Sequence, residues 1–256
     1  MQIKVKSMNS FEKKSFNKDY SNLYDLFYKK KDYSKEVLLI KKLIKKKNLS
    51  ILELGCGTGN YTRNLVPLAK KIVAVDKSKY MIEIAKKKNI KKTIFLTSEI
   101  KTLKFNQKFD LIISLFHILS YQKSNLEIKK FFELSQYLKK GGFFIFDFWN
   151  EEAVNFLKPR KTTLLIKKND YEIKRTSYPT WNKKKKSVLV KYKINIHQEK
   201  RKKNIYEEHL MKYFSLDEIK YILKKNNLEI IKNLGQNFSS FPNKKDLSVI
   251  TICQKN

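Results

Sequence analysis

Three glycines at alternate positions follow a short apolar run, and they are the first candidates for a binding function. The segment 53–59 has the pattern Glu-x-Gly-x-Gly-x-Gly, and the run 49–54 before it is short and apolar enough to be a buried strand. Glycine lets a backbone turn sharply and come close to a ligand, because it carries no Cβ. A helix beginning near Asn60 would direct its N-terminal amides towards the same place. The segment therefore predicts a ligand-binding turn at the end of a strand.

An acidic residue at the end of the next apolar run fits the same site. The run 71–76 ends in Asp76, roughly 20 residues after the glycines, which is where a ribose-binding acid is expected. A carboxylate there can accept both ribose hydroxyls in a partly desolvated pocket. The glycine spacing differs from the Gly-x-Gly-x-x-Gly pattern of NAD-binding proteins. The sequence thus favours a ribose-containing ligand other than a dinucleotide.

The segment 53–59, with its acidic residue and three glycines, resembles motif I of the class I S-adenosylmethionine (SAM) methyltransferases. The resemblance covers about residues 49–150 and the closing helix and hairpin. It implies an α/β, Rossmann-like fold with a mostly parallel seven-stranded sheet. It also implies an enzyme that uses SAM and releases S-adenosyl-L-homocysteine.

The resemblance assigns parts of SAM to particular residues. Its methionine part would lie on Glu53 and the glycine turn, and its ribose on Asp76. Adenine would pack on Met81, while Glu99 and the Ile100 amide would read the edge of the base. The residues implied to bind SAM are Tyr24, Tyr33, Glu53, Gly55, Cys56, Gly57, Gly59, Asp76, Lys77, Met81, Ser98, Glu99, Ile100 and Leu115.

A narrower resemblance, to the NDP-amino-sugar N-methyltransferases, lies outside the shared core. It rests on the tyrosine-rich segments 24–28 and 31–33, on 116–121, and on 208–214. Those enzymes carry an antiparallel insertion between the fifth strand and the last helices. The segment 146–150 is similarly close to methyltransferases of surface-sugar pathways. The resemblance implies a nucleotide-linked amino sugar as the acceptor substrate.

Several residues are implied to face this acceptor. By position, Tyr28 and Tyr121 would meet the amine. The implied substrate-binding residues are Tyr28, Phe116, His117, Trp149, Arg160 and Arg175, and Lys29, Lys30 and Lys31 are further cations that could meet a pyrophosphate.

A base is useful because an ammonium group has no lone pair with which to attack a methyl group. Imidazole has an ordinary pKa of about 6.5, close to neutrality. We therefore take His117 as the candidate base, the alternative being a polar residue that closes the strand. For His197 and His209, on predicted insertion strands, we expect a role on the sheet surface.

Strand and helix patterns alternate between residues 51 and 149, which predicts parallel β-α-β units. A helix through 126–138 is expected to stop at the glycine pair Gly141-Gly142. Alternating runs after residue 155 predict antiparallel strands. The predicted divisions are a helical cap (1–48), a SAM-binding core (49–150), an antiparallel β insertion on the substrate side (151–213), and a C-terminal helix and hairpin that complete the core sheet (214–256).

The net charge of +33, from 57 Lys and Arg against 24 acidic residues, raises the alternative of nucleic-acid binding. However, the excess is nearly all lysine, spread along the chain together with other residues of A- and T-rich codons. Phosphate-reading surfaces more often use arginine. The segment after the predicted fourth strand also lacks the proline-containing turn of DNA and RNA amino-group methyltransferases. An RNA or protein methyltransferase remains the alternative enzyme, and a non-catalytic SAM-binding protein the alternative without catalysis.

The rest of the composition indicates in which compartment the protein works and which kinds of site it lacks. No apolar stretch reaches the length of about 18 residues of a membrane span, and the N-terminus lacks the apolar core of a signal peptide. Two cysteines are too few for a disulfide framework or a cysteine-rich zinc site. We therefore expect a cytoplasmic protein with a small-molecule substrate and no metal site, for which a homodimer remains open.

Overall fold

The computed structural model of the chain describes residues 15–168, 171–198, 201–236 and 241–256. Its helices are α1 (Lys18–Phe27), α2 (Tyr33–Ile44), α3 (Asn60–Leu65), α4 (Lys79–Lys87), α5 (Asn125–Glu133), α6 (Glu151–Leu157) and α7 (Leu216–Lys225). Its strands are β1 (Leu49–Leu54), β2 (Ala69–Asp76), β3 (Thr93–Thr97), β4 (Phe109–Ser114), β5 (Leu138–Asn150), β6 (Thr162–Lys168), β7 (Tyr171–Asn182), β8 (Ser187–Gln198), β9 (Arg201–Phe214), β10 (Leu228–Leu234) and β11 (Ser248–Lys255).

The core is the mostly parallel sheet that the sequence predicts. Strands β3, β2, β1, β4 and β5 are neighbours in that order and run parallel. Strand β11 pairs antiparallel with β5, and β10 pairs antiparallel with β11. These seven strands confirm the predicted fold class. The terminal hairpin closes the sheet on the side of β5.

A second group of strands extends the same sheet. Strands β6 to β9 pair antiparallel in sequence order. The last two residues of β5, Trp149 and Asn150, pair with Tyr213 and Phe214 at the end of β9. Because of this short junction, the insertion continues from the carboxyl end of β5, beside the edge where ligands bind in parallel sheets.

Helices cover both faces of the core sheet with apolar side chains. Phe131 and Phe132 on α5 pack against Phe144 and Phe146 of β5, with ring centroids 5.3 to 6.2 Å apart across the two elements. All four side chains are fully buried. Burying a phenylalanine contributes roughly 1.5–3 kcal/mol relative to exposure. This cluster anchors β5, the strand from which the insertion extends.

Helix α7 begins with a reciprocal capping box between Ser215 and Glu218. The prediction at Gly141-Gly142 is wrong. Helix α5 ends at Glu133, and both glycines lie inside β5. The pairing of β4 with β5 steps from Phe109–Leu138 to Leu111–Phe143, so four β5 residues, 139–142, lie opposite one β4 residue.

The two glycines serve this bulge. Gly141 has a φ of +68°, and a Cβ on Gly142 would lie 2.8 Å from the carbonyl oxygen of Lys139. The bulge, rather than a helix end, therefore requires glycine here. None of the helices in the described part of the chain is long and apolar enough to cross a membrane.

Candidate active site

A cavity of about 460 Å³ opens at the carboxyl ends of the parallel strands. It lies where β1 has β2 on one side and β4 on the other, which is the switch point of an open α/β sheet. The core strands and the loops after them supply Gly55, Gly57, Asp76, Glu99 and His117 to its lining. The N-terminal segment and the insertion strands supply further parts of the wall.

The glycine turn is held against β2 and faces the cavity. The amides of Gly55 and Cys56 both donate to the Val75 carbonyl, at 2.7 and 3.0 Å. Gly55 has a φ of +70°, and a Cβ there would lie 2.3 Å from Ile118 Cδ1. At Gly57 a Cβ would meet only Tyr24, at 4.0 Å. The first glycine is therefore required by the protein's own packing, whereas the second leaves room beside the cavity.

Asp76 holds the glycine turn in place and can still accept hydrogen bonds from a ligand. Its Oδ2 accepts the Gly57 amide at 2.9 Å, and its Oδ1 accepts the Ser78 amide at 2.8 Å. Burial raises the pKa of this carboxyl, although the same two amides lower it. Each carboxylate oxygen has a further lone pair, so Asp76 can hold the turn and still accept ribose hydroxyls. This donor and acceptor set fits the nucleoside part of SAM.

The neighbouring lining residues fit the rest of the nucleoside. Lys77, Met81, Ser98 and Ile100 line this end of the cavity together with Glu99. The Glu99 carboxylate lies 2.8 Å from Lys101 Nζ, in an exposed ion pair.

Other residues predicted to bind SAM lie behind the lining. Glu53 is buried beneath the turn and accepts the Thr62 hydroxyl at 2.6 Å, and burial raises its pKa to about 8. Tyr33 packs edge-to-face on Tyr61. Cys56, Gly59 and Leu115 are also absent from the lining. Any contribution of these residues to binding therefore acts through the shape of the turn or through a rearrangement.

Helix α1 is fastened over the glycine turn by an interaction that the sequence analysis missed. Asp25 accepts the Thr58 hydroxyl at 2.5 Å and the Asn60 amide at 2.9 Å, and it pairs with Lys88 at 2.7 Å. The helix thereby places Tyr24 and Tyr28 on the cavity wall. The sequence does not indicate this role of Asp25, because its three partners become its neighbours only in the folded chain.

The loop after β4 is strained and held by one carboxylate. Phe116 and His117 have φ values of +73° and +67°, which side chains rarely adopt. The His117 amide donates to Asp147 Oδ1 at 2.7 Å, and Asp147 also accepts the Ser248 hydroxyl at 3.1 Å. His117 Nδ1 lies 3.1 Å from Asp147 Oδ2, without the angles of a hydrogen bond. Such strain is typical of functional loops, and here it turns His117 towards the cavity.

Arg175 on β7 brings a positive charge to the cavity wall. Its guanidinium lies over the rings of Phe27, Tyr28 and Tyr192 at 4.6, 5.3 and 5.1 Å, and it donates to the Tyr28 hydroxyl at 3.4 Å. Within the described ranges, Arg175 has no ion pair. Trp149 and Phe116 also line the cavity.

The other predicted cations lie elsewhere. Arg160, Lys29 and Lys30 are exposed outside the lining, and Lys31 pairs with Glu36. His197 is exposed, as expected.

The expectation for His209 is wrong, because His209 is buried at the cavity. Its exposed fraction is 2%, and its Nδ1 lies 2.9 Å from the Tyr121 hydroxyl. Positions 205, 207, 209, 211 and 213 of β9 are all buried, so alternation along the strand turns His209 inward with its apolar neighbours. This alternation was the signal that could have identified His209 and Glu207.

Comparison with known proteins places this geometry in a family. A family model described as a methyltransferase domain matches residues 25–233. The chain belongs to this methyltransferase family. An uncharacterized methyltransferase of Bacillus cereus (strain 03BB102) is 29% identical over 136 residues, which are 50% of this chain and 63% of that relative. The match thus spans less than two thirds of the relative's length.

Solved structures share the whole architecture. A SAM-dependent methyltransferase from Clostridium acetobutylicum ATCC 824 has a TM-score of 0.79 at 24% identity, covering 93% of this chain and 98% of its own. The sugar N-methyltransferase KedS8 from Streptoalloteichus sp. ATCC 53650 has a TM-score of 0.79 at 16% identity, covering 100% and 99%. These likenesses establish the fold. With the family match, they confirm the predicted class of enzyme, a SAM-dependent methyltransferase, and its cosubstrate.

Proposed function

We propose that this methyltransferase transfers a methyl group from SAM to the amine of a small polar acceptor, an amino sugar carried on a nucleotide. The observation that carries the proposal is the composition of the cavity. Its lining includes the glycine turn and Asp76, and it also includes Arg175 among aromatic rings. One cavity thus combines a nucleoside site with a site for an acceptor that carries negative charge.

Arg175 supports an acceptor with a phosphate group. A guanidinium offers a planar fork of donors that matches phosphate oxygens, and aromatic stacking orients that fork. The donors not directed to Tyr28 remain for a ligand. Tyr28 and Tyr192 add hydroxyl groups and flat apolar surface, which suit the polar edges and apolar faces of a sugar ring.

The catalytic demand on the protein is modest. Bound SAM supplies a methyl group already activated by its sulfonium. We assign the protein the tasks of aligning the acceptor, excluding water and keeping the amine neutral. Asp76 and the glycine turn hold the nucleoside, and helix α1 covers it. His117, fixed by Asp147, is the proposed residue that orients the acceptor.

The fold comparison supports the acceptor class without deciding it. KedS8 is described as a sugar N-methyltransferase, and the likeness covers the antiparallel insertion as well as the core. In this chain the insertion contributes Arg175, Tyr192 and His209 to the cavity. The substrate wall therefore comes from the part of the molecule that lies outside the SAM-binding core.

Calorimetric titration tests both halves of the proposal. S-adenosyl-L-homocysteine is titrated first, followed by NDP-amino sugars into the product-bound protein. Micromolar binding in both steps is the expected result. Cofactor binding with no response to any nucleotide sugar would overturn the acceptor class, and absence of cofactor binding would overturn the proposed reaction.

The substitution Arg175→Gln separates the acceptor site from the cofactor site. We expect it to raise the KM for the acceptor about 10-fold or more, because a charged hydrogen bond contributes roughly 1.5–3 kcal/mol. The affinity for SAM should be unchanged. Arg160→Gln is the matched control, since Arg160 is exposed outside the cavity lining. Equal effects of the two substitutions, or a loss of SAM affinity in Arg175→Gln, would reject the assignment.

A further inference from the structure

A buried path of polar side chains leads from the cavity to Glu207, a carboxyl group that the proposed reaction does not use. Tyr121 lines the cavity, and its hydroxyl lies 2.9 Å from His209 Nδ1. On the other side of the imidazole ring, Nε2 lies 3.6 Å from Glu207 Oε2. A phenol, an imidazole and a carboxyl group thus follow one another away from the acceptor.

The surroundings favour one tautomer of His209. The buried Nε2 has no hydrogen-bond partner among the described residues, and the Glu207 carboxylate is the acceptor beside it. A proton on Nε2 would face that carboxylate. The lone pair of Nδ1 would then accept the Tyr121 hydroxyl. Glu207 is fixed in place by the amides of Phe16 and Asn17, which donate to its two oxygens at 2.9 and 3.1 Å.

The pKa values of the three groups would allow a proton to pass from one group to the next. Burial, together with the charges of Lys77 and Arg175, lowers the pKa of His209 to about 3, so the imidazole stays neutral. Burial outweighs the opposing effects of the Phe16 and Asn17 amides and of Lys77, and the pKa of Glu207 is raised to about 7. Burial also raises the pKa of Tyr121 well above its ordinary value. Of the three, only Glu207 can store a proton near neutral pH.

Several charged and titratable groups act on this path from the surrounding elements. They are Tyr20, Tyr24, Tyr28, Lys77, Arg175 and Tyr192. The tyrosines are neutral at neutral pH, and the two cations oppose an imidazolium. A proton that enters the path is therefore driven towards Glu207.

Resting on the proposed amine methylation, we propose that Tyr121, His209 and Glu207 form a proton wire that deprotonates the ammonium group of the acceptor. The Tyr121 oxygen takes one N–H proton, the phenolic proton moves to His209 Nδ1, and the Nε2 proton moves to Glu207. The nitrogen keeps the electron pair of the broken N–H bond and can attack the methyl group. Glu207 ends as a carboxylic acid, while Tyr121 and His209 end neutral, with the imidazole proton on Nδ1.

Glu207→Gln tests the wire with a side chain of the same shape, whose amide oxygen can still accept one of the two backbone N–H groups. We expect kcat at pH 7 to fall about 100-fold, as for loss of general base catalysis, with the acceptor KM within about 3-fold. Raising the pH should restore the rate, because a larger fraction of the acceptor then arrives as free amine. Tyr121→Phe should show the same loss and recovery.

Glu208→Gln is the matched control on the same strand. Glu208 points to the opposite face of β9, where it pairs with Lys191 at 3.3 Å. This variant should keep the wild-type kcat and pH profile. Retention of both in Glu207→Gln and Tyr121→Phe would overturn the wire. SAM affinity, measured on each variant, shows that the cavity is still folded.

Carbon NMR of ¹³C-carboxyl glutamate provides a readout besides turnover. The Glu207 signal is identified by its absence from Glu207→Gln. Addition of the acceptor to the product-bound wild type at pH 8 should move this signal to its protonated position, and the Tyr121→Phe variant should show no such change. A Glu207 signal that stays ionised in the wild type would overturn the proposal.

Different results would contradict the proton wire and the proposed function. A wild-type protein that binds SAM but methylates no amine contradicts the proposed function. The ¹⁵N spectrum of His209 decides the arrangement of the wire without any acceptor. We expect a neutral ring with its proton on Nε2 at pH 8. A proton on Nδ1, or an imidazolium, would overturn the inference even in a protein that methylates amino sugars.

Discussion

Asp76 shows at the scale of one residue how a carboxylate can organise a binding site and take part in it. It accepts two backbone amides of its own protein, and both bonds leave lone pairs directed elsewhere. A neutral or shortened side chain would lose the ligand contact and also loosen the turn. The effect of a substitution should therefore exceed that of one hydrogen bond.

We expect Asp76→Ala to weaken SAM binding by more than the factor of about 10 that the loss of one charged hydrogen bond causes. Calorimetry gives the dissociation constant directly. Asp110→Ala is a suitable control, because Asp110 lies in β4 beside Lys139 and the Ser50 amide, outside the cavity lining. Unchanged SAM affinity in Asp76→Ala would contradict the placement of the ribose.

At the scale of elements, helix α1 depends on Asp25 for its position over the glycine turn. Burial raises the pKa of this carboxyl, but hydrogen bonds from Lys88 and Thr58 outweigh burial and bring it below its ordinary value. Of the three partners of Asp25, Thr58 lies in the glycine turn, Asn60 is the first residue of α3, and Lys88 directly follows α4. The interaction therefore couples the covering helix to the part of the core that holds the cosubstrate.

Asp25→Asn should loosen α1 without removing it. We expect faster amide hydrogen exchange in α1 and a SAM affinity lowered about 3- to 10-fold, because a charged hydrogen bond becomes a neutral one. Asp19→Asn is the control on the same helix, since Asp19 makes an exposed ion pair with Lys203. Equal exchange rates in the two variants would show that Asp25 does not hold the helix.

The elements also show which parts of the structure the sequence could specify. Apolar periodicity was sufficient for the β-α-β units, for the capped helix α7 and for the terminal hairpin, since each depends on local pattern. It failed at Gly141-Gly142, where an apolar pattern continues from a helix through a short turn into β5. The bulge that requires those glycines depends on pairing with β4, which no local pattern contains.

The functional residues divide in the same way. The glycine turn and Asp76 have a fixed spacing along the chain, so the sequence could place them together. Asp25, Glu207 and His209 come from distant segments and reach their partners only because α1 and β9 fold against other parts of the chain. The sequence shows the alternation along β9 and the position of Asp25 in a helix. It does not show which residues these side chains contact, because those contacts form only in the tertiary structure.

At the scale of the whole molecule, the charge of +33 makes ionic strength an informative variable. An enzyme that recruits RNA through surface lysines would release many counterions, and its apparent affinity would fall steeply with salt. An acceptor bound in the cavity by Arg175 releases few. We expect kcat/KM for the nucleotide sugar to fall less than about 10-fold between 50 and 200 mM salt. A loss of about 1,000-fold or more would favour the RNA alternative.

The free energy of unfolding of the whole protein should depend on pH because of its buried carboxyl groups. Burial raises the pKa of Glu53 to about 8 and that of Glu207 to about 7. Above about pH 5 these groups are ionised in the unfolded chain, so the folded state binds more protons. The free energy of unfolding must therefore fall as the pH rises towards the folded pKa values, by up to about 1.4 kcal/mol per pH unit for each group.

His209 acts in the opposite direction over a different range. Because its folded pKa is about 3, the unfolded chain binds the extra proton below about pH 6.5, and stability falls as the pH falls there. Between pH 6.5 and 8, Glu53 and Glu207 both lower the free energy of unfolding as the pH rises. Urea denaturation across this window should show falling stability in the wild type and a shallower slope in Glu53→Gln. A free energy of unfolding that rises in the wild type from pH 6.5 to pH 8 would contradict both raised pKa values. A buried carboxyl group with a raised pKa can only make the folded protein less stable as the pH rises through that range.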